Sequence, residues 1–117
     1  GLIELLDKDP NFSYSDYSVP KNDPIHNAGT SKELYNAIKA QVSKASVVII
    51  MAGVYSTYSK WINKEIEIAQ TEFLIPKPII AVEPWASEKT SVKVKDAADK
   101  IVGWNSSSII NAIKELG

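Results

Sequence analysis

Ser46-Val47-Val48-Ile49-Ile50-Met51-Ala52-Gly53 is the stretch on which the fold turns. Its apolar residues are consecutive and largely β-branched, the pattern of a parallel strand covered on both faces and not of a half-solvated antiparallel one. A second run of the same kind, Pro78-Ile79-Ile80-Ala81-Val82-Glu83, follows about thirty residues later. Between the two, residues 59–74 carry apolar side chains at helical spacing, and residues 54–58 read as the loop leading into that helix. Strand, helix, strand in this order implies a right-handed βαβ crossover and a parallel sheet.

The flanking sequence extends the same alternation. Leu2, Ile3, Leu5 and Leu6 are spaced as on a helix, which Asp9-Pro10-Asn11 stops. The helix starts without a capping residue, so the natural chain is expected to carry residues before Gly1. Residues 12–18 alternate and read as a short edge strand, and residues 19–29, with two prolines and a glycine, as a long surface loop. Thr30 and Glu33 form a capping box for a helix ending near Lys44, whose Leu34, Ile38 and Val42 recur every fourth residue. Residues 84–93 read as loop, 94–100 as a short helix and 101–104 as a short strand. Asn105 or Ser106 caps a last helix with Ile109, Ile110, Ile113 and Leu116 on its apolar stripe. The expected fold is one α/β domain of flavodoxin-like type, a three-layer sandwich with strand order 2-1-3-4-5. In that order residues 12–18 sit at the edge, separated from residues 47–52 by a first strand that this sequence does not contain. The two segments are therefore predicted to pair poorly or not at all unless another segment fills the gap.

Composition narrows the chemistry. The 117 residues suit a single core. Thirteen basic against fourteen acidic residues give a net charge of -1, so nothing drives the chain toward nucleic acid or anionic lipid. All the basic residues are lysines, so oxyanion recognition falls to ammonium groups, backbone amides and helix N-termini. The absence of cysteine excludes disulfides, thiolate catalysis and cysteine zinc sites, and one histidine cannot build a histidine-rich metal centre. No metal is expected. The longest apolar run, residues 47–53, is too short to span a bilayer and the N-terminus lacks a leader pattern, so the expected location is the cytoplasm, without a membrane partner. Gly-x-Gly-x-x-Gly, the P-loop pattern and Gly-x-Ser-x-Gly are all missing. A phospho-receiver would need an aspartate where this chain has Met51, Ala52 and Gly53.

Ligands of open parallel sheets bind beyond the carboxyl ends of the strands, which directs attention to the segment after Gly53. It delivers hydroxyls, two tyrosines and a helix N-terminus, with Glu65 one turn after Trp61. At about 100° per residue, Ile62, Ile66, Ala69 and Phe73 define the core face. Trp61 and Glu65 lie on its border, and Glu67 turns away with Lys60 and Lys64. A carboxylate half buried beside an indole gains a raised pKa and suits acid, base or cation-stabilising work. The plain alternative is that Trp61 packs and Glu65 is solvated. Asp16, Tyr14 and Tyr17 could line the same cleft or serve β packing. Trp85 and Trp104, each just past a strand, could stack on an adenine or nicotinamide ring or pack at the rim. His26, in the proline-containing loop with Lys21, Asn22 and Asp23, reads as a surface residue, and residues 89–100 as a solvated charged face.

Four segments together carry a resemblance. Phe12-Ser-Tyr-Ser-Asp-Tyr-Ser, residues 47–69 with Trp61-Ile-Asn-Lys-Glu65, Pro78-Ile-Ile-Ala-Val-Glu-Pro-Trp85 and Ile101-Val-Gly-Trp-Asn-Ser-Ser-Ser-Ile-Ile resemble the bacterial and archaeal TIR-like family that includes the NAD-processing sensor protein of Thoeris antiphage defence. The resemblance covers nearly the whole chain. It implies a signalling domain that binds NAD as substrate, without a further cofactor, and breaks its nicotinamide–ribose bond as a glycohydrolase or cyclase. Glu65 would be the catalytic glutamate and Trp61 its helical partner, with Ser56 or Ser59 near the serine that precedes the tryptophan. Asp16 and Tyr17 would join the nucleotide site. Family members begin with a strand and half a helix that precede the equivalent of Gly1. A second implication, from a different class, is a non-catalytic adaptor that associates with other TIR-like domains, or with itself, through residues 19–29.

Overall fold

Three parallel strands, β1 (Val48–Met51), β2 (Ile79–Glu83) and β3 (Lys100–Gly103), form a sheet of order β1-β2-β3 in the computed structural model, which describes residues 2–9, 31–83 and 91–117. The register pairs Ile49 with Ile80 and Ala81 with Ile101. Among the described residues five helices cover it: α1 (Leu2–Asp7), α2 (Ser31–Lys44), α3 (Tyr55–Thr71), α4 (Val92–Ala97) and α5 (Ser106–Leu116).

The period-two geometry of the strands divides the core in two. Val48, Ile50, Ile79 and Ala81 face one way, where Leu34, Ile38 and Val42 of α2, Ile62, Ile66 and Ala69 of α3 and Val94 of α4 pack on them. Ile80 and Val82 face the other way, against Leu5 and Leu6 of α1 and Ile109, Ile110 and Ala112 of α5, with Ile49 and Met51 packed at the border. Both faces of β1 and β2 are thus covered, as their unbroken apolar runs require. Successive strands are added in one direction while α3 and α4 stay on one face, so both crossovers have the same hand. The α/β architecture, a parallel sheet between helical layers, is the expected flavodoxin-type fold. The expected strand at residues 12–18, the loop at 19–29, the Thr30 cap and the pairing prediction for 12–18 lie outside the described residues.

Several local expectations are corrected. Residues 54–58 are not loop: a 3₁₀ turn at Ala52–Val54 leads from β1 straight into α3, which starts at Tyr55 and ends at Thr71. No glycine or proline follows Gly53 before Pro76, so nothing in the chain interrupts helical hydrogen bonding there. Phe73 lies beyond the helix but still packs, partly buried, against the core, with the Lys77 ammonium 5.2 Å from its ring centre. Ile68 is fully buried although it lies off the expected stripe, because α3 contacts both β1 and α2. The short helix runs over Val92–Ala97, with Val94 buried. Residues 89–100 are only partly a solvated face. Lys93, Lys95 and Asp96 are exposed, but Asp99 accepts the amide of Ile79 at 2.8 Å and Lys100 pairs with Glu115.

Candidate functional site

α3 positions the candidate site. Its helical repeat places Trp61 and Glu65 on successive turns of one side, and Trp61 lies partly buried against the core cluster beneath. The Trp61 indole, whose only polar group is the N–H donor, hydrogen-bonds to the Glu65 carboxylate. Burial pushes the Glu65 pKa up to about 7, and the indole hydrogen bond works in the opposite direction without cancelling it. Glu65 is thus poised between its two protonation states near neutral pH. The solvated alternative for Glu65 does not describe this environment.

The same helix supplies contrasts. Glu67 is exposed, as its angular position dictates, and Lys60 is exposed with it. Lys64 is partly buried instead of standing free on that side. Glu72, just past the helix, meets Lys39 of α2 at 3.3 Å and also holds the Tyr35 hydroxyl. The Glu72 carboxylate therefore has a cation, whereas the hydrogen bond recorded for Glu65 comes from a neutral indole. Ser59 is partly buried on the second turn of α3, two residues before Trp61. Ser56 belongs to the first turn, but its side chain lies outside the described residues, as do Asp16, Tyr17, Tyr14, His26 and Trp85.

A hollow of about 400 Å³ opens elsewhere, beyond the carboxyl end of β3. Leu5, Trp104 and Ile110 form its apolar lining, and Lys8, Asn105 and Ser107 contribute polar groups. Trp104 is partly buried and lines this hollow, but Glu65 does not. The polar groups here serve the helices. Asn105 accepts from the Ser108 amide at 3.1 Å and from the Ser107 hydroxyl at 2.7 Å, the N-cap expected from the sequence. Ser106 donates to the Leu5 carbonyl at 2.7 Å and so ties α5 to α1. Sequence reading singled out Asn105 or Ser106 as a cap; the Ser106 link to Leu5 has no local signature, because the partners are far apart in the chain.

Among the described residues no helix is long and apolar enough to cross a membrane. Comparison with known proteins adds one finding of identity. The family model described as Thoeris protein ThsB, TIR-like domain, matches residues 2–89, which include α1, α2, β1, α3 with Trp61 and Glu65, and β2. No curated protein matches the chain. Because the family match spans well over half of the sequence and the fold agrees with it, the chain belongs to the Thoeris ThsB TIR-like domain family.

Proposed function

We propose that this domain binds NAD and cleaves its nicotinamide–ribose bond, with Glu65 as the catalytic carboxylate. The observation that carries this reading is the Trp61–Glu65 pair on α3. A carboxylate there is desolvated yet held by a donor, in a chain of a TIR-like family. In the reaction, the glycosidic C–N bond breaks and its electron pair leaves with the nicotinamide nitrogen, neutralising the pyridinium. The ribosyl fragment becomes an oxocarbenium ion, and an ionised Glu65 stabilises that developing positive charge. Water captures the cation to give linear ADP-ribose and a proton, or a hydroxyl of the same fragment captures it to give a cyclic signal. Ser59, Ser56, Asp16, Tyr17 and Trp61 are the residues assigned to the nucleotide site. In a cytoplasmic antiphage system, such a product would act as the messenger.

The test is incubation with NAD followed by chromatography with mass detection. Nicotinamide release by the protein, lost in Glu65→Gln and retained in Glu67→Gln, supports the reading. Absence of release, with NAD intact at every protein concentration tried, favours the adaptor reading, which requires only a complementary surface.

A further inference from the structure

We draw no further inference here: the strongest candidate, the exposed apolar tip formed by Leu74 and Ile75 in the link between α3 and β2, carries nothing because nothing in the structure shows what covers it.

Discussion

The hollow beside α5 and the buried edge of α3 invite opposite conclusions from the same kind of residue list. The hollow has volume, an indole and a helix N-terminus, yet its Asn105, Ser106 and Ser107 are engaged in holding helices together. The α3 site lies apart from that hollow, yet it keeps a carboxylate in surroundings that oppose its charge. The difference teaches that shape and chemistry need not coincide. A satisfied polar group is a structural part, whereas a charge held against burial stores free energy that a reaction can draw on.

Substitutions at the two places should therefore separate sharply. The largest effect is expected at Glu65. Replacing it by glutamine keeps the volume and removes the charge, and nicotinamide release should fall by about 100-fold or more, the usual consequence of losing one preorganised electrostatic group. Glu67→Gln should leave the rate unchanged, because that side chain is exposed on the same helix.

Stability should move the other way. The Glu65 pKa is raised in the folded protein, so the folded state holds its proton more tightly than the unfolded chain does. The associated stability is fully present below the unfolded value of about 4.5 and is lost as pH rises through about 7. Glu65→Gln should accordingly be more stable than wild type by about 2–3 kcal/mol at pH 8 in denaturant titrations, a gap that closes toward pH 4. A smaller and pH-independent effect is expected at the hollow. Asn105→Ala removes an N-cap and should cost about 1 kcal/mol without changing the rate of nicotinamide release. A large loss of activity in Asn105→Ala would break the contrast and return the hollow to consideration as a site.

The parts legible in the sequence are those whose physics is local. The runs in β1 and β2 announce burial on both faces, and the stripe of Leu34, Ile38 and Val42 announces one buried side of α2. Asn105 announces its own cap. What stayed hidden depends on neighbours. Ile68 is buried because a second helix lies against α3, and the early start of α3 reflects helix continuing from a 3₁₀ turn through residues with no apolar periodicity. The candidate glutamate itself was legible from angular position, since Glu65 borders the Ile62–Ile66 face and Glu67 does not. The hydrogen bond that joins it to Trp61 follows from the same four-residue spacing, but its direction and the extent of desolvation needed the packed structure.

The most direct test is the titration of the Glu65 side-chain carboxyl carbon by NMR in the protein without ligand. The account predicts a midpoint near pH 7. A midpoint near 4.5, indistinguishable from an ordinary solvated glutamate, would contradict it.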